Sequence, residues 1–371
     1  MEVDSKYINH LRTYYTTVLS QIITNDGRYL LAAVKNRQLA VFSVEKYLKE
    51  FHREAELISN NHDYDDSVSN LSSQQDRRRL TSINVYPMER MTSLCLMHQT
   101  SNTTKTFDSD SQYRFIVGGV GQLKTFRLSM QNLDEFEEEW MVKLPSDSTM
   151  VNAITMAGEN KIVAGCGDSN IYTFDRETGQ QTAIFCQHND YIHSLKCSDQ
   201  NSSNPLLYSC GEDGKIFCWD YRSSNKPTLS LEPFRNPELR RIQYGKWIGS
   251  IDVTDNNEWI VCGGGPKLSL WHLRSAKCAH ILDTPGVLYS TRFIADNSKV
   301  MAAGTANQVI IWPLNDPTNP NYIDSSINTI YSIGHHHYDK FNYDLYTFSG
   351  DSYQIEVCKN AKFIDWKLDI S

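Results

Sequence analysis

Short apolar runs, each followed by a glycine and a polar turn, recur along most of the chain. One clear copy runs from Tyr208, through Gly211 and a turn at Asp213-Gly214, to Trp219. Apolar runs of this length, bounded by Gly and Asp turns, are typical of antiparallel strands joined as hairpins. The pattern therefore predicts an all-β protein built from repeated hairpins.

The copies share an end residue and a regular spacing. Seven of them align on the position that ends the third strand, which holds Phe42, Phe126, Phe174, Trp219, Trp271, Trp312 and Cys358. In five copies a glycine stands eight residues earlier, at Gly118, Gly211, Gly263, Gly304 and Gly350. Beyond the first gap, the spacing is close to the roughly 40–45 residues of a four-stranded WD-type blade. We therefore expect residues 1–371 to form one domain, a seven-bladed WD-repeat β-propeller with four-stranded antiparallel blades.

Departures from the repeat predict polar loop insertions in the first two blades. Glu45–Ile58 has apolar residues at helical spacing before a polar stretch, so 45–82 is expected to insert a short helix and a mobile loop. Residues 100–112 are expected to form a second mobile loop, and Leu133–Trp140 an acidic connector. Pro233–Gln243 is predicted to be an excursion between blades four and five. The C-terminal stretch offers four strands for the last blade, so closure with an N-terminal strand is allowed but not required.

Composition narrows the class of protein. Hydrophobic residues make up 40% and charged residues 22%, as in soluble globular proteins. No apolar run approaches the roughly 20 residues that span a bilayer, so no membrane association is expected. A net charge of −8 disfavours nucleic acid, so direct contact with it should be absent or weak. The nine cysteines contain no C-x-x-C pair, which indicates reduced thiols rather than disulfides or a zinc ribbon.

The fourth copy carries the fullest set of polar positions, His188, Ser209, Asp213 and Trp219. In WD repeats such residues form a hydrogen-bonded relay from the indole through Ser and His to Asp. A nucleophilic Ser-His-Asp triad is the alternative interpretation, but no nucleophile elbow accompanies these residues. We therefore expect a structural relay and no enzymatic activity.

Two further motifs could suggest ligand chemistry. His335-His336-His337 contains the commonest nitrogen ligand of metals, but adjacent residues in a strand alternate faces and no Cys pair lies nearby. Gly263-Gly264-Gly265 leads into another strand rather than a helix, so it lacks the anion site of a phosphate loop. Arg77-Arg78-Arg79 is compatible with an import or phosphate-binding patch or with a solvated loop. The sequence therefore predicts no cofactor and no metal.

Candidate partner-binding residues stand where the first strands of blades four and five begin. Tyr191 and Trp247 occupy this position, and His193 follows two residues after Tyr191. Exposed aromatic residues are enriched at interface anchors. Basic residues close in sequence add positive charge, and they are Arg240, Arg241 and Arg274. We expect these side chains together to receive an acidic partner.

The same two blades carry a family resemblance. The elements that carry it are Asp190-Tyr191-Ile192-His193, Gly211-Glu212-Asp213-Gly214, Trp247-Ile248-Gly249, Val261-Cys262-Gly263-Gly264-Gly265-Pro266 and Leu270-Trp271-His272-Leu273-Arg274-Ser275. In this order they resemble the THO complex subunit 6 family. The first blade is similar too, whereas blades two, six and seven match loosely.

This resemblance implies a non-catalytic nuclear scaffold in the THO core of the transcription-export (TREX) machinery. Such a subunit would join a hetero-oligomer with other THO/TREX subunits, especially the coiled-coil ones. It would support assembly and multimerisation of the complex and nuclear mRNA packaging and export.

A second function remains open. Trp219-Asp220-Tyr221-Arg222 fits the W-D-x-R pattern of substrate receptors of cullin-type ubiquitin ligases. In that case Arg222 would contact the adaptor. Recovery of a cullin adaptor rather than THO subunits would distinguish the two functions.

Overall fold

The computed structural model describes residues 16–36, 38–46, 48, 91–97, 112–129, 136–198, 206–222, 226–339 and 342–370. Of the predicted insertion at 45–82, only Glu45, Lys46 and Leu48 are described, and their backbone is helical. The remainder of that insertion, including Arg77-Arg78-Arg79, lies outside the described residues. So does the loop predicted at 100–112, up to Gln112, where a strand begins.

The described residues form seven antiparallel sheets, six of four strands and one, the first, of three. Blades one and two comprise β1 (Val18–Ile23), β2 (Tyr29–Val34) and β3 (Leu39–Ser43), then β4 (Met91–Met97), β5 (Gln112–Gly119), β6 (Gln122–Ser129) and β7 (Phe136–Lys143). Blades three and four comprise β8 (Val151–Ala157), β9 (Lys161–Cys166), β10 (Ile171–Asp175) and β11 (Gln181–Phe185), then β12 (Ile192–Cys197), β13 (Leu207–Gly211), β14 (Ile216–Trp219) and β15 (Leu229–Leu231). Blades five and six comprise β16 (Ser250–Val253), β17 (Trp259–Gly263), β18 (Lys267–His272) and β19 (Lys277–Asp283), then β20 (Leu288–Ile294), β21 (Lys299–Gly304), β22 (Gln308–Pro313) and β23 (Asn321–Asp324). Blade seven comprises β24 (Ile330–Tyr338), β25 (Tyr343–Gly350), β26 (Gln354–Lys359) and β27 (Ile364–Asp369). The predicted seven-bladed propeller is thereby confirmed.

The segment between blades four and five contains two short 3₁₀ helices, Pro233–Arg235 and Pro237–Leu239. Each begins with proline, whose fixed φ suits a first helical turn. The Asn236 side chain accepts a hydrogen bond from the Glu238 backbone N–H and so caps the second helix. In the described part of the chain, no helix combines the length and apolar character that a membrane crossing requires.

The core lies between the blades rather than within one central cluster. Seven clusters of buried apolar side chains each join two neighbouring blades, and together they complete the ring. Trp219 at the end of β14 packs edge-on against Phe185 of the preceding blade, with ring centroids 5.2 Å apart. The equivalent residue is aromatic in six blades and Cys358 in the seventh, and in each blade it belongs to the apolar cluster shared with the preceding blade.

The repeated glycine is required by a close backbone approach. In blades four, six and seven the carbonyl oxygen of the residue before the first strand accepts a hydrogen bond from the backbone N–H of the residue after the glycine, as Tyr191 does from Glu212. A Cβ added at Gly211 would lie 2.1 Å from the Tyr191 oxygen, and one at Gly304 would lie 1.7 Å from the Val287 oxygen. No side chain fits there without displacing the loop.

Because the strands of a blade alternate in direction, first strands begin and second strands end on one face of the disc, here called the upper face. Third strands end on the opposite, lower face. Six of the seven first strands carry a β-bulge at their second residue. A bulge re-aims the side chain of its extra residue. The residues concerned are Leu19, Thr92, Asn152, His193, Tyr289 and Tyr331.

Two predicted boundaries are wrong. Leu133–Trp140 is not an acidic connector over its whole length, because Phe136 begins the outer strand β7. Cations of the neighbouring strand β6 pair with its acidic residues, for example Arg127 with Glu139 at 2.6 Å. In blade five, the first strand begins at Ser250 rather than Trp247, so Trp247 belongs to the loop that precedes the strand.

Candidate protein-interaction surface

The four relay residues of blade four form a continuous chain of hydrogen bonds. The His188 imidazole lies between Asp213 and Ser209, with Nδ1 3.0 Å from Asp213 Oδ2 and Nε2 2.8 Å from Ser209 Oγ. The Trp219 indole N–H donates to the same Ser209 oxygen at 2.9 Å. Ser209 and Trp219 have no exposed surface. A substrate cannot reach this serine, so the geometry favours a structural role over a nucleophilic one.

Asp213 also holds the turn and the loop around the relay. Its carboxylate accepts the backbone N–H groups of Asn189 and Lys215, each at 3.1 Å. Burial alone would raise the pKa of Asp213, but the bonds from His188 and these N–H groups outweigh it and hold the pKa below its ordinary value. The charged form of Asp213 therefore stabilises the fourth blade.

Four rings form an arc on the upper face, at the inner ends of blades four to seven. This aromatic arc consists of His193, Trp247, Tyr289 and Tyr331. Successive ring centroids are 6.1, 5.9 and 5.4 Å apart. Tyr191, which precedes β12, is 55% exposed.

Sequence reasoning identified the first half of the aromatic arc and missed Tyr289 and Tyr331. Each of these tyrosines is the second residue of a first strand, the same position as His193 in blade four. A search for aromatic residues at the beginning of the first strand in every blade would have found both tyrosines. The arc therefore extends the predicted surface across blades six and seven.

Trp247 is held in place from two sides. A Cβ added at Gly249 would lie 2.6 Å from the Trp247 ring, so the indole folds back over a residue without a side chain. The Arg241 guanidinium donates to the Trp247 carbonyl oxygen at 2.6 Å and lies 5.9 Å from the indole centroid. It fills space beside Gly265, where a Cβ would be 2.7 Å from an Arg241 nitrogen.

These contacts give Arg241 a positioning role rather than that of a free surface cation. Its burial lowers the pKa of the guanidinium. The triple glycine, which lacks the helix of a phosphate loop, accommodates an arginine of the same chain. Arg240, by contrast, is exposed, so the two adjacent arginines differ in their surroundings.

His193 is also paired within the molecule. Its Nε2 lies 2.8 Å from Glu212 Oε2, and both side chains remain partly exposed. Lys246 extends over the Phe234 ring, with its Nζ 5.5 Å from the centroid. The upper face of blades four and five thus combines aromatic rings with exposed or half-exposed charges.

Most of the exposed large hydrophobic side chains lie on the upper face. Among the described residues, eight large hydrophobic side chains are exposed, and five of them belong to loops or strand beginnings on this face. These five are Met150, Tyr191, Ile242, Tyr244 and Tyr289. Clustered exposed apolar side chains are typical of an interaction surface.

Arg222 and Arg274 lie on the opposite face. Both follow the end of a third strand, and the register that pairs Trp259 with His272 places Arg274 beyond the lower end of β18. Arg222 donates to Asp220 at 3.2 Å and keeps half of its side-chain surface exposed. The structure therefore brings Tyr191, His193, Trp247 and Arg240 to one face, but it does not bring Arg274 to them.

The histidine run of blade seven is arranged around one carboxylate. His335 Nε2 and His337 Nδ1 lie 2.9 and 3.0 Å from the same oxygen of Asp344, whereas the His336 ring packs against Tyr338. In the part of the chain that the structure describes, no group of three or more potential ligands is arranged to hold a metal ion.

Comparisons with known proteins agree with this architecture. The family model described as "WD domain, G-beta repeat" matches residues 179–220, which contain the outer strand of blade three and the first three strands of blade four. THO complex subunit 6 of Drosophila melanogaster is 31% identical over 264 residues, which cover 69% of this chain and 71% of the relative. THO complex subunit 6 of Homo sapiens is 26% identical over 311 residues, covering 82% of this chain and 78% of the relative. The homologue of Danio rerio is 33% identical over 215 residues, covering 55% and 60%.

Proposed function

The chain belongs to the THO complex subunit 6 family, and from this membership we propose that it is a non-catalytic WD-repeat scaffold in the THO core of the transcription-export machinery. In this function it supports assembly and multimerisation of the complex and nuclear mRNA packaging and export. Its partners are other THO subunits, above all the coiled-coil ones, and its location is the nucleus.

Family membership carries this proposal, and the upper face of blades four and five supports the placement of the interface. Exposed Tyr191 and half-buried Trp247 offer aromatic anchors there, and Arg240 adds an exposed cation on a chain of net charge −8. A coiled coil presents a narrow amphipathic ridge with charged flanks. Aromatic residues beside cations suit such a ridge when its flanks are acidic.

Affinity purification of the tagged full chain from nuclear extract, followed by mass spectrometry, tests the function. We expect recovery of THO subunits, including the coiled-coil ones. Tyr191→Ala combined with Trp247→Ala should lower that recovery in a protein whose melting temperature shows that it is folded. The matched control is Tyr322→Ala combined with Phe363→Ala, because both side chains are exposed but neither belongs to the upper-face group.

One result would overturn the placement of the interface, and another would contradict the scaffold function itself. Undiminished binding by the Tyr191/Trp247 variant would overturn the placement on blades four and five. Recovery of a cullin adaptor that is lost on Arg222→Ala, without coiled-coil THO subunits, would favour the ubiquitin-ligase function instead.

A further inference from the structure

The loop that follows the second 3₁₀ helix projects an apolar side chain into solvent. It comprises residues 240–246, here called the anchor loop, and it runs between buried Leu239 and buried Ile248. At its tip Ile242 is 99% exposed, and Tyr244 beside it is 44% exposed. Ile242 is thus the most exposed large hydrophobic residue in the described part of the chain.

The anchor loop is fixed to the propeller at several points. The Tyr244 backbone N–H donates to the Arg241 carbonyl at 3.0 Å, which closes a turn around Ile242. The Arg241 side chain bonds the Trp247 carbonyl at 2.6 Å. At the other end, Lys246 packs over Phe234. A loop held in this way loses little conformational freedom on binding, which favours association.

Charge indicates which kind of partner covers Ile242. The anchor loop reads Arg-Arg-Ile-Gln-Tyr-Gly-Lys and contains no acid, in a chain of net charge −8. Two of its three cations, Arg240 and Lys246, are exposed. A partner with carboxylates around an apolar pocket satisfies both the cations and the isoleucine. The phosphate backbone of a nucleic acid would satisfy only the cations.

We propose that Ile242 and Tyr244 anchor the interface with a helical THO subunit, an inference that rests on the proposed function. Ile242 inserts into an apolar gap between the helices of the partner. Arg240 and Lys246 face acidic residues that border this gap. Arg241 does not touch the partner and instead positions the loop through Trp247.

Ile242→Asp provides the central test. A side chain that is 99% exposed contributes almost nothing to the core, so the variant should melt like the wild type. Its recovery of coiled-coil THO subunits from nuclear extract should fall at least tenfold. Tyr322→Asp is the matched control, because this exposed tyrosine lies on the outer strand of blade six, and its recovery should stay unchanged.

Salt dependence separates the two arginines. If Arg240 faces partner carboxylates, Arg240→Ala should flatten the decrease in recovery with rising salt, because one screened charge contact is lost. Arg241→Ala should weaken recovery by a similar factor at every salt concentration. A flatter salt dependence for Arg241→Ala would overturn its positioning role.

The outcomes distinguish this inference from the proposed function. Wild-type recovery of the coiled-coil subunits together with equal recovery by Ile242→Asp would overturn the anchor and leave the scaffold function intact. Failure of the wild type to recover any THO subunit would overturn both.

Discussion

Trp219 fills the space between blades three and four while its indole N–H is satisfied by Ser209. Deleting a fully buried large aromatic side chain leaves a cavity, and the relay loses its donor as well. Trp219→Ala should therefore lower the free energy of unfolding by about 3–5 kcal/mol, measured by urea denaturation. Phe363→Ala, at an aromatic residue that is 61% exposed, should change it by much less. Equal stabilities for the two variants would show that the blade assignment is wrong.

Asp213 adds a pH-dependent contribution to stability. Its pKa is lower in the folded chain than the unfolded value of about 3.9, so the charged form favours folding. This contribution is fully present above that unfolded value and is lost as the pH falls through the folded pKa. The stability difference between wild type and Asp213→Asn should therefore shrink below about pH 4 in denaturation measured at a series of pH values.

The exposed Asp147 supplies a control substitution at another aspartate. At neutral pH, Asp147→Asn should change the free energy of unfolding by much less than Asp213→Asn, because the Asp147 side chain faces solvent. A difference between wild type and Asp213→Asn that stays constant down to strongly acidic pH would contradict the lowered pKa.

Individual residues differ in how far the sequence predicts them. The four relay residues stand at fixed positions within the repeat, so the sequence could predict that they lie close together. They are His188, Ser209, Asp213 and Trp219. The role of Arg241 could not be predicted, because it depends on the space beside Gly265, which lies in the turn between β17 and β18. The exposure of Ile242 was also missed, since an apolar residue in a loop does not reveal on which side of the backbone it lies.

At the scale of one blade, the glycine at the end of the second strand allows the loop before the first strand to pack closely against it. Gly304→Ala would place a Cβ 1.7 Å from the Val287 carbonyl oxygen, so the loop must shift. We expect a loss of about 1–3 kcal/mol in the free energy of unfolding, the usual cost of overpacking. Gly167→Ala is the control, because the nearest atom to its added Cβ lies 3.6 Å away, at ordinary contact distance. Its stability should stay near that of the wild type.

Strand positions followed from the repeat, whereas two strand limits did not. The segment that begins at Phe136 looked like a connector because Glu137, Glu138 and Glu139 are polar in a row. On an outer strand such residues can face solvent or pair with cations of the neighbouring strand, as Lys124 does with Glu138 at 2.8 Å. Local hydrophobicity therefore underestimates outer strands, which bury little surface.

The whole molecule is a closed ring in which blade one meets blade seven through side chains. All four strands of blade seven come from the C-terminal segment. The aromatic arc likewise depends on contacts between blades, because Tyr289 of blade six packs against Tyr331 of blade seven. A repeat pattern predicts the number of blades but not which side chains join across their boundaries.

Gln21 is the clearest polar contact of the closure. Its side-chain amide donates to the backbone carbonyls of Ser332 and Thr347 at 3.0 and 2.9 Å. Gln21→Ala leaves these buried acceptors without that donor, so the free energy of unfolding should fall by about 1–3 kcal/mol. Gln308→Ala removes a surface bond to Asp324 within blade six and should have a much smaller effect.

The form of the unfolding transition tests whether the ring behaves as one unit. Each blade packs on both neighbours through an apolar cluster, so weakening the junction of blades one and seven should destabilise every blade together. For Gln21→Ala, tryptophan fluorescence and far-ultraviolet circular dichroism should then shift to the same lower urea midpoint. Separate midpoints for the two signals would mean that the closing blades open first and that the remaining blades stay folded without them.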